Sequence, residues 1–459
     1  MKLFGSKRGG ARLAKNRPSV SYDPSAYQVS GGSAAVRATA PAAKTKNPLK
    51  ALAIILAIIL VCELAYFFVI FTDNKFVSKW RSIYIETAMD TLSHKWLATA
   101  IIPSDIIARV CDAKKNTMSA QMNMESEWGN QQAEPIVDET TGEAVIPEQV
   151  VVDVTVIKPE DPEEVAETAF YELFHEIDRD SMEAYLSAHP EALENGWANL
   201  YINEAGMDDE GTEIKTIYDE QILAIDVPNK ILLVRVEGKG FIGVLAKAKD
   251  PALLSVRPSS KLGVSGETAG VIAEAHNGVL AMTGSGFIDE GGNGNGGILA
   301  GYTMYNGVED GWTHLGSGYK RLEIHEDNLF YIKDANASVG EGTTDAVEFG
   351  PALIIDGKIL VDANCGYTGI HPRACIGQSD KYEILMLVIE GRMPTRSMGT
   401  DVIVCAEILK QHGCMQAMNL DGGTSAIMWY DGEYVTKCSN QNLPAGRPLP
   451  TAFVYERAN

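Results

Sequence analysis

Residues 400–430 read TDVIVCAEILKQHGCMQAMNLDGGTSAIMWY. The opening TDVIVCAEILKQH predicts a helix over Thr400–His412, closed by Gly413 as a C-cap that turns left-handed without strain. A short strand then carries Asn419 and Asp421 to one side, since side chains alternate along an extended chain. Gly422-Gly423 permits a tight turn, Thr424 and Ser425 add hydroxyl groups, and Ile427–Tyr430 returns as a strand. A bare turn would explain Asp-Gly but not the whole string, so the stretch reads as a site built at a strand end.

Similar short elements lie to either side. Ile222–Val227, Ile231–Val236, Phe241–Ala246, Leu253–Val256, Leu280–Thr283, Ala352–Ile355, Ile384–Ile389 and Thr451–Tyr455 are β-prone runs with turn residues between them. Pro162–Leu186, with acids in its first turn, and Glu267–Asn277 predict helices. Strands interspersed irregularly with a few helices imply an α+β domain with a mixed sheet rather than a repeated βαβ winding. No internal repeat is evident.

The chain has 459 residues and a net charge of −22. Residues 1–50 hold ten Lys/Arg against Asp23 alone, a net of +9, so the remainder carries −31. That acidic body lacks the basic footprint a nucleic acid requires. Between the two regimes lies Ala51–Phe71, 21 residues with Glu63 as the single charge. At about 1.5 Å per residue it spans roughly 30 Å, the thickness of a bilayer core. Lys/Arg before it and Asp73 after it place the N-terminus inside and the body outside the cell membrane, a single-pass topology. The apolar run is too long, and its basic leader too long, for a cleaved signal peptide. The expected organisation is a disordered basic cytoplasmic tail over 1–48 and a transmembrane helix over 49–71. A helical juxtamembrane segment follows over 72–117, in which residues 75–116 form a stalk or self-association element. An acidic linker covers 118–161, with a strand-like run at Val150–Val156; helix and strands over 162–248 lead into a C-terminal domain over 249–459. Seven cysteines show no CxxC or finger spacing, which gives no support for a zinc site.

Three clusters carry residues suited to chemistry. His276-Asn277-Gly278 and Thr283-Gly284-Ser285-Gly286-Phe287 precede the glycine-rich 291–297, where bare backbone amides can approach an anion. A flexible hairpin loop is the alternative, and without a P-loop lysine the cluster does not suggest nucleotide binding. Gly369-Ile370-His371-Pro372-Arg373 leads into a strand that holds the arginine extended, its planar fork suited to phosphate. The alternative for Arg373 is a structural salt bridge, for which Glu390, closing the apolar EILMLVIE, is a partner. The third cluster is Met418–Ser425.

Taken together, NLDGGTSAIMW at Asn419–Trp429, HPRACIGQ at His371–Gln378 and VIEGR at Val388–Arg392 resemble the phosphodiester glycosidase family. AHNGVLAMTGSGF at Ala275–Phe287 and Arg447-Pro448 are similar to further features of that family, in the family's order over Lys249–Tyr455. The resemblance implies a hydrolase of sugar-1-phosphodiesters, and its bacterial relatives imply cell-surface or exopolysaccharide metabolism. It implies Asp421 as general base or nucleophile, Glu390 as second carboxylate and Arg373 on the phosphate. Asn277, Ser285, Gly286, His371, Asn419, Gly422, Gly423, Thr424 and Ser425 would bind substrate, Asn419 by orienting a sugar hydroxyl. No cofactor or metal is expected. Two other classes remain open: a divalent cation on Asn419, Asp421 and Glu390 cleaving P–O, or a surface module that binds polysaccharide without turnover.

Overall fold

Every residue of Ile384–Ile389 is buried, which marks it as a strand covered on both faces. Its side chains divide by parity. Leu385, Leu387 and Ile389 meet Val402, Cys405, Ala406 and Leu409 of a helix, whereas Ile384, Met386 and Val388 enter a second core shared with other sheets. This computed structural model describes residues 48–91, 94–128, 161–290, 294–311, 314–316 and 318–458. The expectations for the tail over 1–47, for most of the 118–161 linker and for the strand at Val150–Val156 fall outside those residues.

Eight helices are described: α1 (Pro48–Phe71), α2 (Lys75–Met89), α3 (Trp96–Thr99), α4 (Ser104–Gln121), α5 (Pro162–Leu173), α6 (Arg179–Ala188), α7 (Ala269–Ala275) and α8 (Val402–Gln411). The chain divides into two compact units at Leu64. Leu49–Phe71 of α1 is long and apolar enough to cross a membrane.

In the larger unit, runs of strands with few helices between them give an α+β arrangement, and every described strand pair is antiparallel. The nine-stranded sheet is ordered Tyr201–Asn203, Ile222–Asp226, Ile231–Gly238, Phe241–Ala248, Ile384–Ile389, Arg373–Ser379, Cys414–Asn419, Ala352–Ile355, Lys358–Ile359. Two five-stranded sheets close the main core from the other side. One is centred on Thr343–Phe349, the other on Gly278–Thr283. The helix predicted over Thr400–His412 is α8, with Asp401 accepting from the Ile403 and Val404 amides and Gly413 at φ +79°.

Two helical expectations need correction. Pro162–Leu186 is interrupted, because Asp178 accepts from Ser181 N and starts a new helix at Arg179. The helical segment expected over 72–117 is broken, with α2 ending at Met89 and the short α3 beginning at Trp96. Nor do α2 and α4 stand apart as a stalk. Gln121 at the end of α4 is buried and donates to Ala352 O at 3.1 Å, and Ser126 and Ile332 bond to each other. Lys320, fully buried, donates to the carbonyls of Met122 and Met124.

Candidate active site

Strands Arg373–Ser379 and Cys414–Asn419 are neighbours, with Cys375 opposite Asn419. Leu420 N still bonds Ala374 O at 2.8 Å, so the two chains leave the sheet edge together. The turn then presses on the segment before Arg373. A Cβ on Gly422 would lie 2.6 Å from Pro372 O, and Gly423, at φ +62°, donates its amide to the same carbonyl at 3.2 Å. Only glycine allows that approach. The Asp-Gly-Gly string is thus a clasp between two strand ends. Above it opens a cavity of about 790 Å³ whose wall includes Arg373, Arg392, Asp421 and Thr424.

The cations of this cavity differ in their engagement. Arg373 Nε donates to Thr400 O at 3.0 Å, and Nη2 donates to Gly369 O at 2.6 Å and Tyr367 O at 3.4 Å. Its partners are neutral carbonyls. No carboxylate pairs with it among the described residues, so the salt-bridge alternative with Glu390 fails. Arg392 sits at φ +61°, a left-handed conformation that costs a non-glycine residue about 1–2 kcal/mol. Its side chain makes no hydrogen bond or ion pair among the described residues. Arg392 is exposed as a whole, but desolvation by the cavity walls and the neighbouring Arg373 guanidinium lower its pKa, and Asp421 opposes the shift. Backbone strain beside a repelled cation is the kind of arrangement that persists at ligand sites. Arg447, by contrast, is paired with Asp289 at 2.6 Å and donates to Gly294 O at 2.8 Å.

The acids diverge in the same way. Asp421 is half-buried and lines the cavity. Burial raises its pKa, and Ser425, Arg447 and Arg392 pull the other way. Asp289 is lowered by its bond to Arg447, and its charge in turn raises Asp421. Two carboxylates pushed in opposite directions are what an acid–base pair requires. On the far wall, burial would raise Asp90, but His371 and Lys114 bring it down to about 2. His371 Nε2 lies 3.6 Å from Asp90 Oδ2, and burial, with help from Arg373 and Arg392, lowers the imidazole to about 4. His371 is therefore neutral at pH 7.

Comparison with known proteins bears on the same segment. Residues 276–456 match the family described as phosphodiester glycosidase. The C-terminal region is thus similar to the phosphodiester glycosidase family. The SPbeta prophage-derived uncharacterized protein YomE of Bacillus subtilis (strain 168) is 27% identical over 110 residues, 23% of this chain. That match spans only 17% of the curated relative's length. Among solved structures, the zebrafish N-acetylglucosamine-1-phosphodiester alpha-N-acetylglucosaminidase catalytic domain, auto-inhibited by its pro-peptide, is 16% identical. It matches with a TM-score of 0.41, covering 61% of this chain and 95% of that one. A hypothetical protein from Synechocystis is 13% identical with a TM-score of 0.35, covering 52% of this chain and 65% of its own.

Within the matched segment, the cavity collects Arg373, His371, Asn419, Asp421, Gly422, Gly423 and Thr424 of the residues expected from sequence. Others lie elsewhere. Glu390 is a correction: it is buried, paired with Arg396 through Nε and Nη2, and accepts from Lys437 N at 2.8 Å, outside the cavity. Its carboxylate neutralises a neighbouring loop. Asn277 falls in a separate depression with Asp431 and Arg457. Ser285 and Gly286 are also corrections. Ser285 Oγ is buried against Thr303 and Thr451 hydroxyls at 2.8 and 2.9 Å, and Gly286 pairs with Ala300 in a short ladder. Ser425 lies beneath the cavity floor, its hydroxyl near Asp421 but without a hydrogen-bond partner among the described residues. Asn419 spends its amide on Gly350 O and Leu420 O, so it braces the floor instead of reaching for a sugar. The proposed cation trio Asn419, Asp421 and Glu390 therefore does not converge.

A separate group, His175, Glu176 and Glu383, has ligand atoms within 4.8 Å of one another. Lys247 and Lys249 already occupy it, with Lys249 Nζ 2.6 Å from Glu176 and 2.7 Å from Glu383. It is a neutralised core cluster. Sequence reading missed Arg392, Asp289, Arg447, Asp90 and Lys114. Arg392 stood inside the quoted VIEGR string, and Arg447 inside Arg-Pro. Asp90 and Lys114 come from a segment that carried no chemical signal.

Proposed function

We propose that this chain hydrolyses a sugar-1-phosphodiester at the anomeric C–O bond. The observation that carries the reading is the shared cavity of Arg373, Arg392 and Asp421, in which neither guanidinium has a carboxylate partner among the described residues. Two such cations suit a phosphodiester anion, Arg392 with its planar fork and Arg373 with Nη1, since its Nε and Nη2 are held by carbonyls. Asp421, its pKa raised, takes a proton from water as the water oxygen bonds to C1. The C1–O bond breaks with its electron pair passing to the phosphate monoester, a leaving group whose second pKa of about 6 needs little protonation. Asp289, held ionised by Arg447, supplies the second carboxylate in place of Glu390 and offsets positive charge on the ring.

The apolar α1 supports anchoring to a membrane, with the domain outside the cell and the substrate a surface or exopolysaccharide glycosyl phosphodiester. The test is incubation of the full chain in detergent with a panel of sugar-1-phosphodiesters. Release of free sugar and phosphate monoester is expected. Glycan binding with no turnover of any diester would refute the reading and favour a binding module.

A further inference from the structure

The loop that holds Arg373 is itself held by helix α2. Glu86, buried on α2, accepts through Oε2 from Thr368 N at 2.5 Å and from Thr368 Oγ1 at 2.9 Å. Thr87 Oγ1 accepts from Ile370 N at 3.0 Å while donating to Ile83 O at 2.6 Å. The amides of residues 368 and 370 belong to the same planar peptides as the carbonyls of residues 367 and 369. Those two carbonyls are the acceptors for Arg373 Nη2. Each of two rigid planes is therefore gripped on its N–H edge by α2 and offers its C=O edge to the guanidinium. The fit leaves no slack: a Cβ on Gly369 would lie 2.9 Å from His371 Nε2 and 3.1 Å from Thr87 N.

We propose that Glu86 and Thr87 are positioning residues for Arg373, which makes the helix after the apolar segment a working part of the phosphate site. The proposal rests on the reading of Arg373 as the phosphate ligand. Two further contacts fit it. Asp90, one turn beyond Glu86, pairs with Lys114 of α4 and faces His371, and both Asp90 and Lys114 line the cavity. Arg81, midway along α2, donates to the carbonyls of Val69, Ile70 and Thr72, which fixes the helix to the chain before it. A helix tied through Arg81 to the chain before it and through Glu86 and Thr87 to the loop conveys its position to the guanidinium.

The experiment uses the full chain with Thr87→Val, Thr87→Ser, Glu86→Ala and Glu86→Gln. The readouts are kcat and KM on a diester that the parent hydrolyses, the Ki of inorganic phosphate as competitor, and thermal unfolding. Val keeps the shape of Thr but cannot accept from Ile370 N, whereas Ser and Gln keep an acceptor oxygen. Loss of the acceptor for one of the two peptide amides behind Arg373 is expected to raise the phosphate Ki and KM about fivefold in Thr87→Val and Glu86→Ala. Thr87→Ser and Glu86→Gln should stay within about twofold of the parent on the same scale. If one of the two disruptive variants does not fold, the other carries the comparison. Folded disruptive variants with the parent's Ki would overturn the positioning role. A parent that hydrolyses no diester and is not inhibited by phosphate would instead overturn the functional reading beneath it.

Discussion

Arg392→Gly separates a ligand-binding role from a structural one. The parent residue holds φ +61° and makes no side-chain bond among the described residues. Left-handed backbone costs a non-glycine about 1–2 kcal/mol, and glycine returns about 0.5–1 kcal/mol of that through its larger unfolded-state entropy. Removing a cation that Arg373 repels adds a favourable contribution of the same sign. The variant is therefore expected to be as stable as the parent or up to about 1 kcal/mol more stable. Its activity should move the opposite way. A charge-assisted bond to phosphate contributes roughly 1.5–3 kcal/mol, which corresponds to about a 10- to 150-fold loss of kcat/KM. Urea unfolding and initial rates on a hydrolysed diester measure both, with Arg392→Ala as the control that loses the guanidinium but keeps the strain. A Gly variant that unfolds more easily by about 2 kcal/mol, or that retains the parent's kcat/KM, would refute the reasoning.

Asp421→Asn should abolish hydrolysis without loss of stability at pH 7. The folded pKa of Asp421 is raised, so its contribution to stability is present at low pH and is lost as pH rises through that value. Calorimetry should thus find the Asn variant equal to or more stable than the parent at pH 7, with the difference shrinking toward about pH 4. The acid limb of the parent's kcat/KM profile should lie above the ordinary aspartate range, and no limb should trace to His371, which is neutral down to about 4. Glu390→Gln should lower stability by roughly 1–3 kcal/mol by weakening its bonds to Arg396, while leaving the phosphate Ki unchanged in folded protein. A fragment beginning at Pro162 would leave the buried Lys320 ammonium without the Met122 and Met124 carbonyls, and circular dichroism should find it less stable than the full chain.

Legibility in the sequence followed chemistry that is local. Gly413, Asp401 and the apolar spacing of α8 specify a helix within a dozen residues, and EILMLVI is a covered strand by composition alone. The tight turn at Asp421-Gly422-Gly423 was equally readable from its glycines, but the Pro372 carbonyl they close on lies far upstream and was not. The strand Lys320–His325 was not. Its Arg321 and Glu323 are fully buried and bonded to each other, so a core strand reads as a polar one. Glu390 misled for the converse reason. A carboxylate at a strand end resembles a site residue until Arg396, six positions on, turns back to neutralise it. The α2 contribution was hidden because Glu86 and Thr368 are 282 residues apart, and nothing local to either names the other.

The central claim is cleavage of the bond between the anomeric carbon and the phosphate oxygen. Hydrolysis of a sugar-1-phosphodiester in ¹⁸O-labelled water, followed by mass spectrometry of both products, tests it directly. The expected result is label in the released sugar and none in the phosphate monoester. Label in the phosphate would mean attack at phosphorus, and the roles given to Asp421, Arg373 and Arg392 would not stand.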